Sequence, residues 1–152
     1  MNNLFILDLD HTLIYGSYAE KESAKFLFQY NQYLKVYKRS FVNELIQLCK
    51  TKGDIVVYTT ALKSYAYRIC NKLNIKPVEL LSRRNCIDSG GNWKKQIKTE
   101  WLSNYNKIII IDDSPNVWMG FNEKVVFLIT NEFRGCKNDK GLLKIINEIK
   151  RY

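Results

Sequence analysis

Histidine, proline, glycine and paired cysteines are what this sequence has least of. Its 152 residues include one histidine, His11, with two prolines and seven glycines. So little proline and glycine excludes a collagen-like or low-complexity chain, and no internal repeat or linker interrupts it. The four cysteines, Cys49, Cys70, Cys86 and Cys136, form neither a CxxC pair nor a Cys/His constellation, which argues against zinc. Cys49 and Cys70 sit among apolar residues and are expected as buried, reduced thiols. No apolar run approaches the roughly 18 residues of a membrane helix, and the first residues lack a basic region followed by an apolar stretch. The expected setting is cytoplasmic or nuclear, without a membrane partner.

What is present is a basic chain with the composition of a folded protein. Hydrophobic residues make up 46% and charged residues 26%, which suits one domain over 1–152 with a core that needs no disulfide. A monomer is expected. The 24 Lys and Arg against 15 Asp and Glu leave a net charge of +9, which attracts phosphate-bearing partners without naming one.

Continuous apolar runs at Leu4 to Leu7, Ile55 to Tyr58 and Ile108 to Ile111 read as strands buried on both faces, and a fourth run, Val125 to Ile129, adds another strand. Helix-period stretches fall between and after them. Phe41, Leu45, Leu48 and Cys49 share one stripe ending before Gly53, a second helix runs from Leu62 to Leu73, and Leu142, Ile145, Ile146 and Ile149 form the last, with Asp139 as a candidate cap. This order predicts an α/β fold with a parallel sheet. Between Phe26 and Tyr37 two short aromatic and β-branched runs flank Asn31-Gln32, which predicts a hairpin insertion over about 26–37.

The stretches with chemical content lie at strand ends. FILDLDHTLI runs a buried strand into Asp8, Asp10 and Thr12, and IIIIDDSP repeats the arrangement with Asp112 and Asp113. Residues at the carboxyl ends of parallel strands face the crevice where ligands bind, and clustered carboxylates need a cation or a shared proton. Oxygen-rich surroundings poor in histidine favour Mg²⁺ over zinc.

With VVYTTALKSYA, GNWKKQI and YKRSFVNELI, these stretches give the order DxDxT, strand-end Thr, Lys, DD. In that order the chain resembles the haloacid dehalogenase (HAD) superfamily of aspartate-nucleophile phosphatases. Within it, the chain is most similar to the RNA polymerase carboxy-terminal-domain phosphatases of the FCP/SCP or NIF type, from Leu4 to the last helix. The resemblance implies a Rossmann-like fold: a central parallel sheet, flanking helices, a small hairpin insertion and no large cap. It implies Asp8 as the nucleophile that becomes an aspartyl-phosphate, and Asp10 as the general acid that later activates water. It implies Mg²⁺ on Asp8, the main-chain carbonyl of Asp10, Asp112 and Asp113, with Thr59 and Lys95 holding the phosphoryl group and Lys94 as the competitor of Lys95. Ser40 stands where the family usually has proline, Arg39 is expected to be structural, and His11 a spacer.

An uncapped site beside Phe26, Phe28, Tyr30, Tyr33 and Tyr37 suits a phosphopeptide lying in an aromatic groove. The resemblance therefore implies a Mg²⁺-dependent phosphoserine/phosphothreonine protein phosphatase. A second reading keeps the chemistry but takes nucleic-acid ends or a small phosphoester, and a third is a binding module without catalysis, against which both Asp8 and Asp10 stand.

Overall fold

The apolar runs become strands of one sheet. β1 (Asn3–Leu7) is followed by β2 (Ile14–Ser17), β3 (Lys25–Gln29) and β4 (Lys35–Lys38), then α1 (Val42–Lys52), β5 (Gly53–Tyr58), α2 (Lys63–Lys72) and β6 (Glu79–Leu81). The chain continues through β7 (Ile87–Ser89), β8 (Asn92–Gln96), α3 (Thr99–Asn104), β9 (Ile108–Asp112), β10 (Trp118–Met119), β11 (Val125–Ile129) and α4 (Gly141–Ile149). This computed structural model describes residues 2–152. The main sheet has the order β11-β9-β1-β5-β6 and is parallel throughout.

Strand alternation divides the core between the two faces of that sheet. Phe5, Leu7, Ile55, Val57, Ile109 and Ile111 pack with the buried stripes of α1, α2 and α4. Leu4, Ile6, Val56, Tyr58, Ile108 and Ile110 pack with Trp101 of α3 and with Trp118. Both faces are covered, so the strands read as unbroken apolar runs. Cys49 and Cys70 lie in the first core, where burial pushes both thiols up to about 12.

The insertion is larger than the hairpin predicted over 26–37. β3 and β4 are two strands of a three-stranded antiparallel sheet in the order β2-β4-β3, with the short segment after the first acidic motif supplying β2. Asn31 shapes the β3–β4 turn, its Oδ1 accepting the backbone N–H groups of Tyr33 and Leu34 at 2.8 Å. The register shifts between Phe26 and Phe28. This bulge sends the two rings different ways: Phe26 is 53% exposed, whereas Phe28 is 5% exposed and packs in the main core. A second small sheet, β10-β8-β7, was not foreshadowed by any apolar run, because β7 is exposed along its length.

Arg39 ties the insertion to the rest of the molecule. Its Nε and Nη2 donate to Asp139 Oδ1 and Oδ2 at 2.7 and 3.0 Å, Nη2 also reaches Asn131 Oδ1 at 2.8 Å, and Nη1 reaches the Thr12 carbonyl at 3.1 Å. Asp139 was expected to cap α4; it does accept the Gly141 N–H at 3.0 Å, but Arg39 is its main partner. Gly141 is glycine because a Cβ there would collide with Arg39, Asn131 and Thr130. Ser40, in place of proline, bonds the Lys137 carbonyl through Oγ at 3.1 Å. The next residue, Phe41, adopts φ 71°, a left-handed conformation costing about 1–2 kcal/mol for a bulky residue, before α1 begins.

Candidate active site

The site begins where β1 stops. Asp8 N–H still donates to Ile111 O at 3.1 Å, extending the ladder by one residue, and the chain then turns tightly, with Leu9 O accepting the N–H groups of Thr12 and Leu13 at 3.2 and 2.9 Å. His11 makes the turn possible at φ 66°, a conformation polar residues enter more readily than β-branched ones. Its Nδ1 lies 3.1 Å from Phe133 O. The turn brings Thr12 back under the strand end, where Oγ1 donates to Asp8 Oδ2 at 2.7 Å and accepts the Asp113 N–H at 3.1 Å.

β9 is the neighbour of β1, and it delivers Asp112 and Asp113 to the same edge. One carboxylate oxygen from each of Asp8, Asp112 and Asp113 lies within 4.8 Å of the others, the grouping of a metal site. Both oxygens of Asp112 are bonded: Oδ1 accepts the Ser114 N–H at 2.9 Å, and Oδ2 accepts Trp118 Nε1–H and Lys95 Nζ–H, both at 2.8 Å.

Lys95 arrives from β8. Its ammonium is buried 2.8 Å from Asp8 Oδ1 and 2.8 Å from Asp112 Oδ2, with the Tyr58 and Trp118 rings 5.9 and 5.4 Å away. Alternation along β8 separates it from Lys94, which points the other way to Asn116 O at 2.8 Å. Trp118 is the direct partner of Lys95 in the β10–β8 pairing.

Two of the three clustered carboxylates, Asp8 and Asp112, thus share one ammonium, and Asp113 has none among the described residues. Burial raises Asp8, Asp112 and Asp113 above the usual carboxylate range, and the neighbouring acids add to the rise where Lys95 and Thr12 oppose it. Burial alone would release the Lys95 proton, but Asp8 and Asp112 overcome it and hold the ammonium charged. Both directions report a surplus of negative charge in a dry place, which a divalent cation would neutralise.

Asp10 stands apart from this group. Its Oδ1 accepts the Tyr65 hydroxyl of α2 at 3.1 Å, and burial raises its pKa against that bond. Its carboxylate is not among the three that cluster. Thr59 follows the last residue of β5, on the other side of β1, where its buried Oγ1 accepts the Ala61 N–H at 3.1 Å.

The aromatic groove is only half available. Phe28 and Tyr37 are 5% and 2% exposed, so they are core residues and offer no ring to a ligand; the Tyr37 hydroxyl accepts the Lys21 N–H at 2.9 Å. Tyr30 packs edge-on against Tyr65 with centroids 5.1 Å apart, and Phe26 and Tyr33 remain exposed. Tyr65 and Trp118 were not singled out from the sequence. A tryptophan six residues after Asp112 was the available signal for one, and a tyrosine in the first turn of a helix following Thr59 for the other.

Fold and site together define a HAD-type α/β protein, with an acidic cluster and one lysine at the carboxyl edge of a parallel sheet. The chain belongs to the NLI interacting factor-like phosphatase family, whose model matches residues 3–152. It is similar to the "Probable C-terminal domain small phosphatase" of Dictyostelium discoideum, 26% identical over 93% of this chain and 47% of that protein. It is also similar to the human "Carboxy-terminal domain RNA polymerase II polypeptide A small phosphatase 1", 26% identical over 72% of this chain and 44% of that protein. The chain therefore spans less than half the length of these relatives. The solved structure of "Fcp1, an essential RNA polymerase II CTD phosphatase" shares the fold at a TM-score of 0.60 and 19% identity, over 97% of this chain and 47% of that one. Among the described residues, no helix is long and apolar enough to cross a membrane.

Proposed function

We propose that this chain is a Mg²⁺-dependent phosphomonoester hydrolase that removes phosphate from serine or threonine of a polypeptide through an aspartyl-phosphate on Asp8. The observation that carries the reading is the buried Asp8, bonded at once by Lys95 and Thr12 and set beside Asp112 and Asp113. Carboxylate oxygens without histidine or cysteine fit Mg²⁺, with Asp8, Asp112, Asp113 and the Asp10 main-chain carbonyl as its holders. When bound, it would neutralise charge between the nucleophile and the phosphoryl oxygens.

The chain's own residues do the rest. An Asp8 oxygen attacks phosphorus while the bond to the serine or threonine oxygen breaks, and Asp10 donates its proton to that leaving oxygen. A raised pKa suits Asp10 to arrive protonated. Asp10 then takes a proton from water as the water oxygen attacks the phosphoryl group, which frees the Asp8 carboxylate and inorganic phosphate. Lys95 and the Thr59 hydroxyl balance charge on the phosphoryl oxygens in flight.

A phosphate-release panel tests the substrate class: an aryl phosphate, phosphoserine peptides and end-phosphorylated oligonucleotides, each with Mg²⁺ or EDTA. Peptides should be turned over fastest and only with Mg²⁺. A preference for oligonucleotides would move the assignment to nucleic-acid ends, and no release from any substrate would leave a binding module.

Tyr65 should act as a positioning residue for Asp10. In Tyr65→Phe the carboxyl loses the bond that fixes its rotamer, so kcat on phosphoserine peptide should fall about tenfold, in the range of one lost hydrogen bond. The aryl phosphate, whose leaving group needs little protonation, should be hardly affected. Equal losses on both substrates would remove Tyr65 from that role.

A further inference from the structure

β3, β4, the start of α1 and the segment 137–140 enclose an open cavity of about 690 Å³ that does not include the acidic cluster. Its charged lining is Lys25, Lys38, Arg39, Lys137 and Lys140, against Glu44 and Asp139. Asp139 is already held twice by Arg39, so four lysines face one free carboxylate. Among the described residues none of these four lysines forms an ion pair. Lys25 and Lys38 stand directly opposite each other across β3 and β4, a pairing of like charges that destabilises a sheet unless an anion lies between them. Partial burial and then Lys25 draw the Lys38 ammonium below its ordinary range.

We propose that this cavity is a second oxyanion site, which binds a phosphate group without hydrolysing it. Lysines converging from separate strands and a loop suit phosphate, whose oxygens accept several charged donors at once. The volume exceeds that of the phosphate alone and leaves room for the chain that bears it. Through Arg39 the cavity also touches the acidic motif: Nη1 holds the Thr12 carbonyl, and the Thr12 hydroxyl holds Asp8. The phosphate has two possible sources, a second phosphorylated residue of a polypeptide or a free phosphate compound. The proposal stands apart from the catalytic reading, since it concerns binding by residues that reading does not use.

The test is amide NMR on the whole chain at fixed ionic strength in EDTA, titrated first with pyrophosphate and then with peptides carrying one or two phosphoserines. Amides of Lys25, Lys38, Lys137 and Lys140 should shift saturably with pyrophosphate, and Lys25→Gln with Lys38→Gln should weaken that Kd about tenfold or more. A saturable shift of the same amides with the doubly phosphorylated peptide and not the singly phosphorylated one assigns the site to a second phosphoresidue. A response to pyrophosphate alone assigns it to a free phosphate compound. Shifts that stay linear, or an unchanged Kd in the double variant, would overturn the site. Failure of the catalytic reading would register elsewhere, as no phosphate release with Mg²⁺ from any substrate of the panel.

Discussion

Replacing Asp8 with asparagine is expected to lower kcat/KM on every phosphomonoester by at least about 10³-fold, the scale on which nucleophiles are lost. The substitution is nearly isosteric and keeps an oxygen toward Lys95 or Thr12, so the loss cannot be attributed to an unfilled cavity. It also removes one of three clustered carboxylates, only two of which, Asp8 and Asp112, share the Lys95 ammonium. The variant should therefore melt at or above the wild-type temperature in EDTA, since sites that concentrate charge for chemistry do so at the expense of stability. Mg²⁺ should raise the wild-type Tm by binding the folded form alone, and should raise that of Asp8→Asn less. Residual turnover within tenfold of wild type would remove Asp8 from the nucleophile's role. A large fall in Tm would make its carboxylate a structural element instead.

Arg39→Met should produce the largest loss of stability without touching a reacting group. The substitution strands Asp139 at a nearly closed site, where its side chain is 6% exposed, and leaves the Thr12 carbonyl without its donor. Removing one partner of a buried pair costs about 3–5 kcal/mol, or roughly 6–20 °C in Tm for a chain of this size. Replacing both members, Arg39→Met with Asp139→Leu, should recover part of that loss. The same pair sets an acid limit. Burial would raise Asp139, but the Arg39 bonds and the Gly141 N–H hold its carboxyl below the usual range. Its contribution is complete above the unfolded carboxyl value of about 4 and is lost as pH falls through the lower folded one. Asp139→Asn should flatten the stability profile below about pH 4, and a single Arg39→Met variant that loses less than about 1 kcal/mol would contradict this account.

The parts of the fold legible in the sequence were those written in apolar pattern, unbroken in the strands and at helical spacing in α1, α2 and α4. β1, β5 and β9 could be read because strands covered on both faces need no polar alternation, and β11 because its run is apolar throughout although it is a partly exposed edge strand; the acids at the ends of β1 and β9 stood out against those runs. β2 was missed because it is four residues long and gains its partner only when β4 folds onto it. The β7–β8 turn carried a Gly90-Gly91 signal, but β7 has no buried side chain to mark it as a strand. Phe28 and Tyr37 were read as groove residues because composition cannot reveal a bulge, and it is the register shift after Phe26 that sends Phe28 inward. The hydrogen bond from Trp118 to Asp112 depends on β10 lying beside β8, a tertiary pairing with no local trace. Family resemblance chose Lys95 over Lys94, and the alternation of β8 supplies the physical reason they differ.

The central claim is covalent transfer to Asp8, and the most direct measurement is an acid quench of the enzyme during turnover of a phosphoserine peptide with Mg²⁺, followed by mass analysis of the protein. A fraction of the chain should carry one added phosphoryl group, located to Asp8 by fragmentation, released by hydroxylamine and absent in Asp8→Asn. Steady release of phosphate with no phosphoryl group on the protein at any quench time, or with the group on another residue, would contradict it.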